Sequence, residues 1–168
     1  SSCIEISVGD IEFDGKGYSV TGAGSANGIS VVNSTSPSGD PSNVTVRNVT
    51  VTGWGQGVTV TDTDNAVVSN VNASDNKLGV YTRGDRTTVN DTVVKDSGIK
   101  GVVLTDDADN STVRDTKVLR TNAMMGIPGF GGEGDGNTNV PQTDTGSAVD
   151  VSASDSVLEN VTAVGGNG

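Results

Sequence analysis

A short pattern recurs along the chain at a fixed spacing, and this repeat restricts the possible folds more than any other feature. Gly-Val-Thr-Val at 57–60 is followed by Gly-Val-Tyr-Thr at 79–82 and by Gly-Val-Val-Leu at 101–104, with a spacing of 22 residues each time. Fixed-period self-similarity is typical of solenoids and other repeat architectures. Further copies are found at 4–6, 28–31 and 148–151. Six copies indicate a single repetitive domain over residues 1–168.

The hydrophobic residues of the repeat favour strands over helices. The chain has 27 Val, 20 Thr and 24 Gly but only 4 Leu. Branching at Cβ stiffens Val and Thr and suits them to a pleated, half-buried surface. Aromatic residues make up only 3% of the chain, which is unlike the aromatic-rich cores of immunoglobulin sandwiches and propellers. We therefore expect an all-β fold of another kind.

Each copy of the repeat carries a second and a third short apolar pair. Examples are 44–46 with 49–51, 67–68 with 71–73, and 157–158 with 161–163. Pairs of this length, bounded by Asn, Asp, Gly or Ser, suit a coil of three short strands joined by tight turns. The sequence therefore predicts a right-handed parallel β-helix, a solenoid of about six coils of ~22 residues stacked through parallel ladders. The fifth coil then carries a long Gly-rich insertion at 122–145.

Stacking of the coils places equivalent residues in columns along the helix axis. Asn48, Asn70 and Asn160 occupy equivalent turn positions, where a left-handed backbone and a stack of side-chain amides favour Asn. We expect Thr92 and Thr116 to take this position in coils four and five. The first predicted interior column consists of Ile4, Ile29, Val58, Val80, Val102 and Val149. The second consists of Ile6, Val31, Val60, Thr82, Leu104 and Val151.

The charge balance and the missing residue types exclude several functions. With 21 acids and 10 bases the net charge is −11, which excludes electrostatic binding to nucleic acids or anionic membranes. The chain has no His, so Ser–His–Asp catalysis and the usual zinc sites are excluded. A single Cys3 excludes an intrachain disulfide framework. We find no catalytic constellation, expect no cofactor, and see no apolar run of the ~20 residues that a transmembrane helix needs.

Three segments of the chain resemble haloarchaeal surface proteins with NosD-like right-handed parallel β-helix repeats. They are Cys-Ile-Glu-Ile at 3–6, Ile-Glu-Phe-Asp-Gly-Lys-Gly-Tyr-Ser-Val-Thr-Gly at 11–22, and Asn-Val-Thr-Val-Arg-Asn-Val-Thr-Val-Thr-Gly-Trp-Gly-Gln-Gly-Val at 43–58. With the later coils, the resemblance extends over nearly the whole chain. It implies a β-helix fold within a group that includes carbohydrate-binding domains, sugar-hydrolase-like domains and extracellular proteins without known activity. The N-terminal cap usual in that family is missing, so we expect this segment to be part of a longer protein.

The acidity and the glycosylation motifs predict a cell-surface or extracellular location. Most acids are Asp, and the isoelectric point is near 4.1, as in haloarchaeal proteomes where surface acids keep proteins soluble in high salt. N-glycosylation requires a secreted chain and an exposed Asn. We expect Asn48 and Asn160 to be stacked within turns and blocked. The candidate glycosylation sites are Asn33, Asn43, Asn72, Asn90 and Asn110.

Two clusters of acids follow the first strand of coils three and five. The simplest interpretation is that they are solvated turns of a halophilic surface. Stacked carboxylates are also weak candidates for a calcium site, because Ca²⁺ prefers hard oxygen ligands. Alternatively, they serve as acid and base in glycoside hydrolysis or a lyase reaction, with Arg83, Arg86, Lys95 and Lys100 as nearby cations. The acids are Asp62, Asp64, Asp106, Asp107 and Asp109.

The leading functional hypothesis is an extracellular, non-enzymatic β-helix module of a cell-surface protein. It would be a structural, adhesive or filament component with weak glycan binding, for which Trp54 and Tyr81 are the possible glycan contacts. Its partners would be glycans, other surface proteins, or further copies stacked through the coil ends. The first alternative is a polysaccharide lyase or glycoside hydrolase on the same scaffold. The second is a viral tail-fibre or spike segment, a setting where parallel β-helices commonly trimerise.

Overall fold

Every regular element in the described part of the chain is a β-strand, as the composition predicts. The computed structural model describes residues 2–32, 41–121 and 148–165, so the insertion predicted at 122–145 lies outside the described residues. No helix in these ranges is long and apolar enough to cross a membrane. The strands are β1 (Ser2–Ile6), β2 (Glu12–Asp14), β3 (Ser19–Thr21), β4 (Asn27–Val32), β5 (Thr45–Thr52), β6 (Gln56–Thr61), β7 (Val67–Ser74), β8 (Leu78–Arg83), β9 (Thr88–Asn90), β10 (Val93–Lys95), β11 (Lys100–Leu104), β12 (Thr112–Arg114), β13 (Lys117–Thr121), β14 (Val149–Val151), β15 (Val157–Glu159) and β16 (Thr162–Gly165).

The strands form three faces, and each coil contributes one segment to each face. The first face is the six-stranded sheet β1-β4-β6-β8-β11-β14, whose strands open coils one to six. The second face consists of β2, the first halves of β5 and β7, β9, β12 and β15. The third consists of β3, the second halves of β5 and β7, β10, β13 and β16. All these ladders are parallel. The predicted right-handed parallel β-helix is therefore confirmed.

Both predicted interior columns of the first face are present. The ladder registers join Ile4 to Ile29 and then, coil by coil, to Val58, Val80, Val102 and Val149. The same registers align the second column from Ile6 to Val151. Side chains in the middle coils of both columns are almost completely shielded from solvent. The stacking of like apolar groups thus replaces a globular core, because each coil covers the apolar face of its neighbours.

A column of glycines explains why Gly precedes the first apolar residue of the repeat in coils two to five. Gly28, Gly57, Gly79 and Gly101 occupy the same position in successive coils of the first face. A Cβ at Gly79 would collide with the side chain of Val94, and one at Gly101 with that of Val118. Both valines belong to the third face. The glycines therefore let the third face approach the first closely enough to exclude solvent between them.

The turns between the faces stack residues with left-handed backbone in three columns. Between the second and third faces these are Asn48, Asn70 and Asn160, as predicted, together with Asp91 and Asp115. The prediction that Thr92 and Thr116 hold this position is wrong, because each lies one residue later and is buried inside the helix. Their hydroxyls donate to backbone carbonyls two residues earlier. These hydrogen bonds allow a small polar side chain to be buried inside the helix.

The other two corners of the helix also have a column of residues with left-handed backbone. Between the first and second faces the column is Asp10, Asn43, Asn65, Arg86, Asn110 and Asp155, and between the third and first faces it is Gly53, Asp75, Asp96 and Arg120.

Thr82 interrupts an apolar interior column with an unsatisfied hydroxyl. It lies between Val60 and Leu104, is 0% exposed, and its Oγ1 atom has no hydrogen-bond partner. Thr82→Val keeps the shape and removes the desolvated hydroxyl, so we expect the free energy of unfolding to rise by about 1 kcal/mol. Urea unfolding checks this, with Thr87→Val as the control. The buried Thr87 hydroxyl donates to the Gly84 carbonyl at 2.7 Å, so that variant should lose stability, and an equal loss in Thr82→Val would contradict the prediction.

Candidate functional site

Arg83 ends β8 in the coil whose turn between the first and second faces is shortest. This turn spans residues 84–87, against 62–66 in coil three and 105–111 in coil five. The longer turns of the neighbouring coils flank Arg83 from both sides. Its Nη2 atom lies 3.0 Å from Asp107 Oδ2 and 3.9 Å from Asp62 Oδ1. Two of the predicted acids are therefore brought together around one guanidinium group.

The remaining acids of the two clusters do not join this group. Asp64 Oδ2 accepts a hydrogen bond from Arg86 at 2.7 Å. Asp109 Oδ1 accepts one from the backbone N–H of Ser154 at 2.8 Å, across the interface between coils five and six. Asp106 is exposed in its turn. Most of these carboxylates are thus engaged by arginine or backbone groups of a neighbouring coil.

The predicted calcium ligands do not form a metal site in the described ranges. No three His, Cys, Asp or Glu side chains come together there in a way that could hold a metal ion. Ca²⁺ takes six to eight oxygen ligands, whereas Asp62 and Asp107 both face the guanidinium group of Arg83. A cation at that place would have to displace the arginine.

Tyr81 lies two residues before Arg83 and is half-buried on the outer side of the first face. Burial raises the pKa of its phenol above the ordinary value, Arg83 opposes this, and the nearby carboxylates of Asp107, Asp106 and Asp62 add to it. The phenol is therefore protonated at neutral pH and can donate a hydrogen bond. Among the predicted residues in the described ranges, Tyr81, Arg83 and Asp107 form the one group that combines a phenol, a guanidinium group and a carboxylate close to one another.

The other cations predicted to assist catalysis are separated from Arg83. Lys95 lies on the third face, with its Nζ atom 3.6 Å from Asp96. Lys100 forms an ion pair with Asp150 on the first face. Arg86 lies in the turn column and contacts Asp64. The four basic residues therefore do not line a common groove.

Trp54 has a structural role that the sequence did not reveal. Its indole Nε1–H donates to the Val20 carbonyl at 3.1 Å, and its backbone N–H donates to Asn76 Oδ1 at 2.9 Å. The ring packs directly over Gly22, where a Cβ would collide with it. An open cleft of about 510 Å³ adjoins the ring, but Trp54 lies at the corner between the third and first faces. Trp54 and Tyr81 therefore do not form one platform for a sugar.

The sequons fall into two groups according to what holds the Asn side chain. Asn33 lies outside the described residues. Asn48 and Asn160 are stacked in the turn column, as expected, and donate to Asp14 at 3.0 Å and to Asp115 at 2.6 Å. Asn43 donates to Asp10, and Asn90 donates to Asp91. Only Asn72 and Asn110, among the sequons in the described ranges, are exposed without a side-chain hydrogen bond.

Asp14 is the most strongly held carboxylate in the described ranges, and sequence reasoning missed it. Its Oδ2 atom lies 2.9 Å from Lys16 Nζ and 3.0 Å from Arg47 Nη2. Its Oδ1 atom accepts hydrogen bonds from the Lys16 backbone and from Asn48. The hydrogen bonds from Lys16, followed by the one from Asn48, hold the pKa of Asp14 far below its ordinary value of 3.8. Asp14 lies opposite Arg47 in the ladder, one residue before Asn48.

The stability that Asp14 contributes should depend on pH. Because its pKa is lower in the folded chain than in the unfolded chain, ionisation favours folding above about pH 4, and the benefit is lost as the pH falls further. We expect Asp14→Asn to lower the midpoint of thermal unfolding at pH 7. The difference in this midpoint between the variant and wild type should become smaller between pH 4 and pH 2. Thermal unfolding at several pH values measures this. The control is Asp155→Asn, at an exposed turn, which should show little difference at any pH. A gap that stays constant would contradict the prediction.

The match to a known protein family agrees with this architecture. Residues 2–167 match the family described as the right handed beta helix region. No curated protein matches the sequence. Among solved structures, the chain is similar to an alginate lyase from Paenibacillus sp. str. FPU-7, with 11% sequence identity, a TM-score of 0.44, and coverage of 96% of this chain and 75% of the lyase chain. Since the family match spans nearly the whole chain, the protein belongs to the right-handed β-helix family.

Proposed function

We propose that the chain is an extracellular, non-enzymatic β-helix module of a cell-surface protein, acting as a rigid structural, adhesive or filament component. The observation that carries this proposal is that its charged side chains bind neighbouring coils to one another. Arg47 contacts Glu12 of the preceding coil, Arg83 contacts Asp107 of the following coil, and Arg120 contacts Asp96 of the preceding coil. A surface organised in this way reinforces the helix along its axis.

Few cations remain for an anionic substrate. All ten basic residues lie in the described ranges, and most of them form ion pairs within 4 Å of a carboxylate. These are Lys16, Arg47, Arg83, Arg86, Lys95, Lys100 and Arg120. Exposed ion pairs of this kind contribute little stability individually. Repeated at successive coils, however, these ion pairs hold the basic side chains against carboxylates. An anionic substrate would have to break an ion pair in order to bind one of them.

The proposed location at the cell exterior rests on the acidity and the sequons. A net charge of −11 lowers the stability of the fold at low ionic strength, because stacked carboxylates repel one another along the turn columns. Asp64, Asp85 and Asp109 follow one another in this way in coils three to five. At about 1 M salt the Debye length falls to roughly 3 Å, which is shorter than the ~4.8 Å spacing between neighbouring coils, so this repulsion is screened. The resemblance to haloarchaeal NosD-like surface proteins supports the same habitat.

The location and the adhesive role can be tested together on native cells. Immunogold electron microscopy should place the protein on the cell surface or in an external filament. A glycan array in molar salt should show weak binding or none. Absence from the surface and from every external filament would overturn the proposal. A trimeric mass in solution, combined with an origin in virus particles, would instead favour a fibre or spike.

A polysaccharide lyase is the second candidate, and Tyr81 with Arg83 and Asp107 is the observation in its favour. A phenol beside a guanidinium group can donate a hydrogen bond to the oxygen of a leaving group, while the guanidinium group binds a carboxylate. Incubation with acidic and neutral polysaccharides, with and without calcium, decides between the candidates. Product release that is lost in Tyr81→Phe and Arg83→Met, but retained in Arg86→Met, would replace the structural proposal. No product with any polysaccharide would support the structural role.

A further inference from the structure

Asn72 differs from the other sequon asparagines in the described ranges because no structural requirement explains it. It lies in the second half of β7, on the third face, with its side chain exposed. Its backbone is not left-handed, and its amide makes no hydrogen bond with a described residue. Asn is depleted in strands, where β-branched residues are favoured. A strand residue with no packing or hydrogen-bonding role is therefore a candidate for a role outside the fold.

Each of the other sequons in the described ranges has such a structural reason for its Asn. Asn43, Asn48, Asn110 and Asn160 have left-handed backbone, which Asn tolerates better than most residues. Asn90 donates to its neighbour Asp91 at 2.8 Å. Asn110 comes closest to Asn72, because it is exposed and has no side-chain partner, but its turn conformation accounts for it. Only Asn72, among the sequons in the described ranges, is explained by neither backbone nor partner.

The surroundings of Asn72 leave room for a modification. Its neighbours on the ladder are Thr50 in coil two and Val93 in coil four, both short side chains. An open cleft of about 420 Å³ beside it is lined by these residues and by Lys16, Asn70 and Asp91. Ser74, the hydroxyl residue of the sequon, lies two positions later in the same strand and so points to the same side of the sheet. A sugar attached here would lie on the sheet surface without displacing any side-chain contact.

We propose that Asn72 carries an N-linked glycan and that the third face of the helix is therefore its glycosylated face. This inference rests on the proposed extracellular function. In the reaction, Asn72 Nδ2 forms a bond to the anomeric carbon of a glycosyl phosphate donor. The bond from that carbon to the phosphate oxygen breaks, the phosphate leaves with the electron pair, and the amide loses one proton to the transferase. Asn43, Asn48, Asn90 and Asn160 remain unmodified because their side chains serve the fold.

Mass spectrometry of tryptic peptides from the protein purified from its native cells tests this proposal. Cleavage after Arg47 and Lys77 gives the peptide 48–77, which contains the sequons of Asn48 and Asn72, and fragmentation distinguishes the two. The peptide 101–114 reports Asn110 separately. We expect a glycan mass on Asn72 and none on Asn48. Ser74→Ala should abolish this mass while leaving Asn72 in place, and the matched variant Thr112→Ala, which destroys the Asn110 sequon, should leave the Asn72 glycan unchanged.

The outcomes separate this inference from the proposed function, because surface labelling of intact cells measures the location independently. A chain that is labelled at the surface but has an unmodified Asn72 overturns the glycan and leaves the function standing. Glycans on other sequons with a bare Asn72 likewise overturn the glycan proposed here. A chain that is not labelled and carries no glycan overturns both. A glycan on Asn72 that persists in Ser74→Ala would exclude N-glycosylation through the sequon.

Discussion

Gly101→Ala is expected to lower the free energy of unfolding by about 3 kcal/mol, which is near the upper end of the usual cost of overpacking. The added methyl group would meet the Val118 side chain and the Ala148 carbonyl oxygen at less than van der Waals distance. The carbonyl belongs to the backbone of the next coil and cannot rotate away. Alanine also reduces the entropy of the unfolded chain, but this gain of about 0.4–1 kcal/mol is smaller. The collision should therefore dominate, and urea unfolding measures it.

Gly98→Ala provides the matched control three residues earlier. A Cβ there would lie 3.6 Å from Lys77 Cα, at ordinary van der Waals distance, and the residue does not have left-handed backbone. Its urea midpoint should equal or slightly exceed that of wild type. If Gly101→Ala were as stable as Gly98→Ala, the close approach of the first and third faces would not be required for stability.

Asn76→Ala is expected to cost about 3 kcal/mol, because it leaves two backbone groups without partners, one of them buried and the other partly buried. Asn76 is 2% exposed. Its Oδ1 atom accepts from the Trp54 N–H, and its Nδ2 atom donates to the Val51 carbonyl at 2.9 Å. These bonds connect coil three to coil two at the corner that Trp54 covers. Urea unfolding followed by tryptophan fluorescence should show both the loss of stability and the release of the indole, since Trp54 is the only Trp in the chain.

Asn72→Ala is the control for this second variant, in protein produced without glycosylation. Both asparagines belong to the same coil, but the amide of Asn72 has no partner among the described residues. Alanine there should change the stability by less than about 0.5 kcal/mol, as is usual for surface substitutions. Equal effects of the two substitutions would show that the buried amide of Asn76 does not bridge the coils.

The interior of the helix could be predicted from the sequence because its period is regular. A spacing of 22 residues fixes the stacking from Val58 to Val102. The same apolar pattern then identifies the remaining members of both columns, although the spacing differs in the other coils. The turn column was harder to predict. Asp91 replaces Asn there, and the adjacent Thr92 is also small and polar. When the hydroxyl of a buried residue can donate a hydrogen bond to a backbone carbonyl, residue type alone does not show which of two neighbouring polar residues faces inward.

The candidate site could be predicted only in part, because side-chain contacts depend on turn lengths. The acids Asp62 and Asp107 meet at Arg83 because the turn of coil four is shorter than its neighbours. Lys95 lies twelve residues after Arg83, yet it faces a different side of the helix. Trp54 lies between two glycines in the sequence, but the hydrogen bond from its indole to the Val20 carbonyl depends on the preceding coil. Such contacts between coils follow from the three-dimensional register.

The parallel ladders between coils also determine how the molecule would respond to force. Each coil contacts only the coil before it and the coil after it, and the chain passes through the coils in order. Tension on the two ends would therefore unwind the helix one coil at a time from its termini. A coil of 22 residues releases roughly 70 Å of extended chain. A chain built in this way would lengthen coil by coil under tension, with equal steps from the two coils between Val58 and Val102.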